Sequence, residues 1–313
     1  MDNYIIIFSI SFALYISIYI TLRILRKKAD YNRTLNLTFL KITLPKKDSD
    51  LDEKKETTKD FKEIIGLMEQ LFASLKSIYS RKILKKILGQ DLLSFEYIAH
   101  EWEILFYVVI PKNYKHLIEK QINWFYTDAV IEETTEINIF KNRKYIESAY
   151  INTVKEFFFP IKTYQKLESD PINNITNAFS KLEEDESASI QILLKPTKDN
   201  WQSDCSKASS AIQKWKTSFF TLNPIKLIIW FFSIIFASTE EENKSPEENN
   251  TSALTGERAK TVDEKWDKTG FEAIIRVIAT GNNKAMVETE LTNIVSTFTQ
   301  FSYPDFNWFT TTL

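Results

Sequence analysis

The chain has 313 residues, with 40 Lys and Arg against 42 Asp and Glu. The resulting net charge of -2 lacks the basic excess that drives phosphate-backbone binding. A single cysteine excludes an intramolecular disulfide, and five isolated glycines leave no G-x-x-x-x-G-K-[ST] or G-x-G-x-x-G loop for a nucleotide.

Residues 4–22 form an apolar run without a charge, and Arg23, Arg26, Lys27 and Lys28 follow at once. At about 1.5 Å per helical residue the run reaches roughly 28 Å, close to the roughly 30 Å hydrocarbon core. Residues 1–28 therefore read as a transmembrane anchor in contact with the lipid bilayer, with Tyr4, Ile10, Leu14, Ile18 and Leu22 along its length. Only Asp2 is charged before the run, so the Lys/Arg excess predicts a single pass with the N-terminus outside and the bulk of the chain in the cytoplasm. A cleaved signal peptide is the competing reading, but it would need a basic leader and a small-x-small site. Cys205 reads as a small helix residue in a reducing compartment.

After the anchor, residues 35–44 alternate as a strand that Pro45 ends, and the charged stretch 46–59 reads as a flexible connection. Phe61, Ile64, Ile65, Met68, Leu71, Phe72, Leu75 and Ile78 recur at helical spacing and predict one long amphipathic helix. Its final turns would carry Arg81, Lys82, Lys85 and Lys86. That cluster reads as a solvated helix end, with lipid headgroups or nucleic acid as the alternative contact. Residues 92–99 and 104–110 predict a hairpin, residues 114–125 a helix and residues 129–140 a strand. The order β-α-β-β-α-β over residues 29–142 is that of a ferredoxin-like unit.

The order then begins again over residues 143–313. Residues 145–164 are extended. Asp170 and Pro171 open a helix as N-cap and first residue, and 187–196 alternates as a strand. Residues 270–281 supply the next strand, 287–301 a helix and 306–313 the closing strand. The fold expected is thus α+β: a transmembrane helix and two tandem ferredoxin-like units, the second carrying a helical-hairpin insertion at residues 197–269. Within the insertion, residues 225–237 are almost wholly apolar, including Ile225, Leu227, Trp230, Phe231, Phe232 and Ile235. This run is too short to cross a bilayer and reads as an interfacial or re-entrant membrane contact, with burial against a partner subunit as the alternative.

No catalytic constellation is expected. His100 and His116 lack metal-ligand spacing, no G-x-S-x-G elbow occurs, and Glu132, Glu133 and Glu136 read as solvated positions of a strand. No cofactor, metal or small-molecule substrate is therefore predicted. Trp102, Trp124, Trp201, Trp215 and Trp266 fall in or beside apolar stripes and are expected in cores.

Four groups of residues carry a family resemblance. They are Phe106-Tyr-Val-Val-Ile-Pro111, the run from Asp170 to Leu182, the run from Ser187 to Pro196 with Trp201, and Lys268-Thr-Gly-Phe-Glu-Ala-Ile-Ile-Arg-Val277 with Phe298-Thr-Gln-Phe301. They resemble the membrane-anchored N-terminal region of type IV secretion or conjugative DNA-transfer ATPases of small-genome uncultivated bacteria. The resemblance implies a bacterial inner membrane, self-association, and a FtsK- or HerA-like motor domain following this region. The chain stops at Leu313 without that motor, so the expectation is a non-catalytic module that positions or oligomerises a motor ATPase. A membrane-tethered nucleic-acid-binding module using Arg81, Lys82, Lys85 and Lys86 is the alternative.

Overall fold

The structure is a computed structural model that describes residues 2–44, 58–198, 201–203, 205–206 and 253–312. The predicted connection at 46–59 lies mostly outside those residues, and the apolar run 225–237 lies wholly outside them. In chain order the first half comprises α1 (Asp2–Thr34), β1 (Leu37–Thr43), α2 (Thr58–Leu75), α3 (Ile83–Leu88), β2 (Leu93–His100), β3 (Glu103–Pro111), α4 (Lys115–Phe125) and β4 (Val130–Thr134). The second half comprises β5 (Tyr145–Thr153), α5 (Pro171–Phe179), β6 (Ser187–Pro196), α6 (Ala253–Trp266), β7 (Phe271–Gly281), α7 (Lys284–Ser296) and β8 (Phe309–Thr312). The fold is α+β, an N-terminal apolar helix followed by an antiparallel sheet and its helices.

Among the described residues eight strands join one sheet in the order β4-β1-β3-β2-β6-β7-β5-β8, and every neighbouring pair is antiparallel. The halves meet where β2 pairs with β6, from Leu93 opposite Leu194 to His100 opposite Ser187. The described residues of 1–157, 161–198 and 269–313 form one compact unit, and those of 158–160 and 199–268 form a second. Within the second, Cys205 and Val262 are buried and Phe159 packs against Val262.

Alternation along the strands sends one set of side chains to the helices. Leu40, Leu93, Phe95, Val108 and Ile110 meet Leu71 and Leu75 of α2 and Ile118 and Ile122 of α4. Ala149, Ala188, Ile190, Val277 and Ala279 meet Ile175 and Phe179 of α5 and Val287, Leu291 and Ile294 of α7. Ile192 touches both clusters, so the two cores abut along β6. On the opposite face Ile98, Tyr107, Val109 and Ile278 are covered by Ile137 and Ile139 of the β4–β5 connection. Thr280 Oγ1 donates to Ile139 O at 2.8 Å and holds that connection down.

Several local expectations are matched. The Glu101–Trp102 turn has φ 49 and 66, as a two-residue hairpin of the primed type requires. Asp170 caps α5 by accepting from Ile172 N at 2.9 Å, with Pro171 at the first helical position.

Other expectations differ from the structure. The single helix expected through residue 86 is two: α2 stops at Leu75, and α3 starts afresh at Ile83. The break has a cause at Ser80, whose N–H donates to Gln90 Oε1 at 2.9 Å and whose carbonyl accepts from Gln90 Nε2 at 3.0 Å. An amide side chain ten residues away thus takes the backbone groups that a continuing helix would have used. The extended stretches end early too, at Thr134 and Thr153. Trp124 is 80 % exposed and Trp102, in the hairpin turn, 69 % exposed, so neither belongs to a core.

α1 enters the sheet through Leu35 and Asn36. Leu35 N donates to Tyr31 O at 3.2 Å, Asn36 N to Arg33 O at 3.1 Å, and Lys112 N to Asn36 O at 3.0 Å. The registers put Leu37, Pro111, Leu93, Pro196 and Phe271 at the same end of the sheet.

One buried acid gives the fold a pH signature. Glu290 of α7 is buried; its Oε1 accepts from Asn293 Nδ2 at 3.4 Å, while its Oε2 has no partner among the described residues. Burial raises its pKa above the ordinary carboxylate range, opposed by the Asn293 hydrogen bond. A carboxyl held higher in the folded state binds its proton more tightly there. The contribution of Glu290 to native stability therefore falls as pH rises from about the unfolded value of 4.5 up through the raised one. Glu290→Gln is expected to stabilise the protein by about 1 kcal/mol at neutral pH, with the gain vanishing below the unfolded pKa. Thermal melts of both proteins across that pH range check it.

Candidate functional site

α1 is apolar over most of its surface. Residues Ile7–Thr34 are long and apolar enough to cross a membrane, and none of the most apolar window is buried within the protein. Ile10, Leu14 and Ile18 are all exposed, Leu22 is half-buried, and Arg23, Arg26, Lys27 and Lys28 are exposed at the end of the run. Tyr4 lies in the first turns of the helix. A helix apolar on all sides and uncovered by its own protein is suited to a lipid solvent.

The foot of α1 is fastened to α3. Arg26 Nε donates to Ile87 O at 2.7 Å, while Arg33 donates through Nη2 to Leu88 O at 2.9 Å and through Nη1 to Gly89 O at 3.1 Å. Asp30 pairs with Arg33 one turn back along α1 and orients the guanidinium. The two arginines satisfy carbonyls that the C-terminus of α3 leaves open, where the helix dipole also favours a cation. Gly89 makes the approach close: its φ is 102, and a Cβ there would lie 2.9 Å from Arg33 Nη2. Gly89→Ala is expected to cost about 1–2 kcal/mol through backbone strain and displacement of Arg33. A lower Tm together with faster tryptic cleavage after Arg33 would show it.

α3 itself carries part of the predicted basic cluster. Lys82 directly precedes it and Lys85 and Lys86 are in its last turn, while Arg81 lies in the extended link before it. Arg81, Lys82 and Lys86 are exposed, and Lys85 pairs with the buried Asp91, which also accepts from Tyr114 Oη at 3.0 Å. Of the four predicted cations three are therefore available to a partner, and one is committed to the fold. Sequence reasoning passed over Arg33, Gly89 and Asp91. The isolated Gly89 after an apolar-basic run was the readable signal of a helix end.

A second concave region opens on the sheet face away from the helices, a cavity of about 610 Å³ lined by Lys41, His100, Glu103, Tyr107, Glu132 and Glu136, among others. His100 Nδ1 lies 2.8 Å from Ser187 Oγ. Glu133 pairs with Lys115 and also accepts from Thr38; the Lys115 ammonium first, then the Thr38 hydroxyl, hold its pKa below the ordinary range. Among the described residues no group of three or more His, Cys, Asp or Glu is placed to hold a metal ion. His116 is an exposed residue of α4 beside Glu119, far in sequence from His100 and outside this lining. The second predicted contact, Ile225, Leu227, Trp230, Phe231, Phe232 and Ile235, lies outside the described residues.

A family model described as a domain of unknown function (DUF8128) matches residues 55–308, a stretch that begins beyond α1 and β1. No curated protein matches the chain.

Proposed function

The chain belongs to the DUF8128 family, and from that premise we propose a non-catalytic, single-pass membrane module that positions or oligomerises the motor ATPase of a type IV secretion-like translocation machine. In this reading α1 crosses the bacterial inner membrane with its N-terminus outside, and the sheet lies in the cytoplasm. The observation that carries it is the docking of Arg26 and Arg33 onto the carbonyls of Ile87, Leu88 and Gly89. A loose tether needs no such contacts. A part that must hold a partner at a set place relative to the bilayer does.

Two tandem ferredoxin-like units, residues 29–142 and 143–313 with the insertion 197–269, belong to the same reading. Its support is that β4-β1-β3-β2 and, read inward from the other edge, β8-β5-β7-β6 are the same order generated twice, with helices between the same strands. β4 and β8 are left as edge strands whose open backbone groups suit pairing between subunits. The resemblance of the quoted segments to motor-associated proteins supplies the partner.

The test is to extract the full chain from native membranes in mild detergent and measure its mass by light scattering. A multimer that co-elutes with a P-loop ATPase is expected, and a monomer that recovers none would overturn the proposal. The alternative of nucleic-acid binding draws on the exposed Arg81, Lys82 and Lys86. It requires duplex affinity that falls steeply with salt.

A further inference from the structure

α3 presents a surface that neither the anchor nor the sheet uses. At helical spacing Ile83, Leu84 and Ile87 fall on one side, with Lys82, Lys85 and Lys86 on the other. Ile83 is 72 % exposed and Leu84 69 %, and α3 buries none of its residues. Packing among the described residues therefore gives no account of the apolar side.

Depth supplies one. Arg26 lies four residues past Leu22, about 6 Å further along α1, and the headgroup layer beside the hydrocarbon core is roughly 5–8 Å deep. Because Arg26 Nε holds Ile87 O at 2.7 Å, Ile87 sits at the level of that layer. Arg33, seven residues further along α1, holds the carbonyls of Leu88 and Gly89. The last turn of α3 thus lies beside the foot of α1, just past the apolar run, with Ile83 and Leu84 one turn earlier in the same short helix.

We propose that α3 is a second membrane contact, lying in the headgroup layer of an anionic leaflet. Ile83 and Leu84 enter the acyl boundary, and Arg81, Lys82 and Lys86 meet lipid phosphates. This rests on α1 crossing the bilayer as proposed above. Two observations select lipid as the occupant: α3 is continuous with the foot of the membrane helix, and its charge complements an anionic surface while its apolar side needs a hydrocarbon edge. A nucleic-acid backbone offers the phosphates without that edge. The anchor also confines α3 to the surface, so a weak intrinsic affinity suffices.

The experiment uses the full chain carrying Leu84→Cys with a spin label, in nanodiscs of phosphatidylcholine alone or mixed with phosphatidylglycerol. The chain with only its buried Cys205 sets the background. In the anionic discs the label is expected to be more accessible to oxygen than to a nickel chelate. Reversing Arg81, Lys82 and Lys86 to Glu together should return it to water while the chain stays in the disc. At roughly fivefold per cation lost, the inserted-to-exposed ratio should fall at least a hundredfold. A label that faces water in anionic discs, or insertion indifferent to the triple reversal, would overturn the proposal. So would protection of the label by a short DNA duplex in place of lipid. Extraction of the intact chain by carbonate would instead sink the anchor itself, so the two failures are told apart.

Discussion

Deleting residues 1–28 is expected to move the chain from a carbonate-resistant membrane pellet to the supernatant, folded. Residues 4–22 contain eleven Ile, Leu and Phe, and at a few tenths of a kcal/mol each their insertion is worth about 5 kcal/mol, a partition change of several thousandfold. Nothing among the described residues covers Ile10, Leu14 or Ile18, so no fold energy is lost with them. The truncated chain keeps Arg33 and its bonds to Leu88 and Gly89, and gives up the Arg26 bond to Ile87. Circular dichroism and carbonate fractionation on the same preparation check both halves of the expectation. Full retention in the pellet would move the membrane contact elsewhere in the chain. Partial, salt-sensitive retention on anionic vesicles is what α3 predicts.

The largest loss of stability is expected from Asn307→Leu. Asn307 is fully buried, and its Oδ1 accepts from Lys155 N at 2.8 Å and Trp308 N at 3.0 Å. Its Nδ2 donates to Lys155 O at 3.1 Å and Glu156 O at 3.4 Å. One side chain therefore joins the stretch after β5 to the stretch before β8, the two strands that pair from Tyr150 opposite Thr312 to Thr153 opposite Phe309. Leucine fills the volume and removes the hydrogen bonds to two N–H groups and two carbonyls at once. At about 1 kcal/mol or more for each, the cost is roughly 3–4 kcal/mol. Urea unfolding with an unchanged slope and a lower midpoint would show it. A change under 1 kcal/mol would mean that water replaces the lost amide.

Elements with strong local signals were legible in the sequence. The alternation of Ile190, Ile192 and Leu194 and of Ile275, Val277 and Ala279 located β6 and β7, and Asp170-Pro171 located the start of α5. Long-range contacts were not. The break between α2 and α3 depends on the Gln90 amide reaching Ser80, which no window of helical periodicity contains. The pairing of β2 with β6 joins strands some ninety residues apart and leaves no trace in either one. At the candidate site the apolar run and the cations around residues 81–86 were readable. Arg26 registered only as a charge that sets topology, and Arg33 not at all, because their role is to donate to carbonyls more than fifty residues away. Trp102 and Trp124 misled for the opposite reason. Large aromatic area predicts burial, yet a turn with positive φ and the outer side of a last helical turn hold them in water.

The two-residue passage through Leu35 and Asn36, hydrogen-bonded on both sides, leaves no hinge between α1 and β1. A helix whose apolar length exceeds the local thickness of a bilayer leans over to bring its ends to the interfaces. With Arg26 and Arg33 clamping its base, such a lean cannot be absorbed at the joint and must swing the whole sheet. In the membrane-spanning arrangement proposed above, lipid composition would in that way set the angle between the sheet and the bilayer.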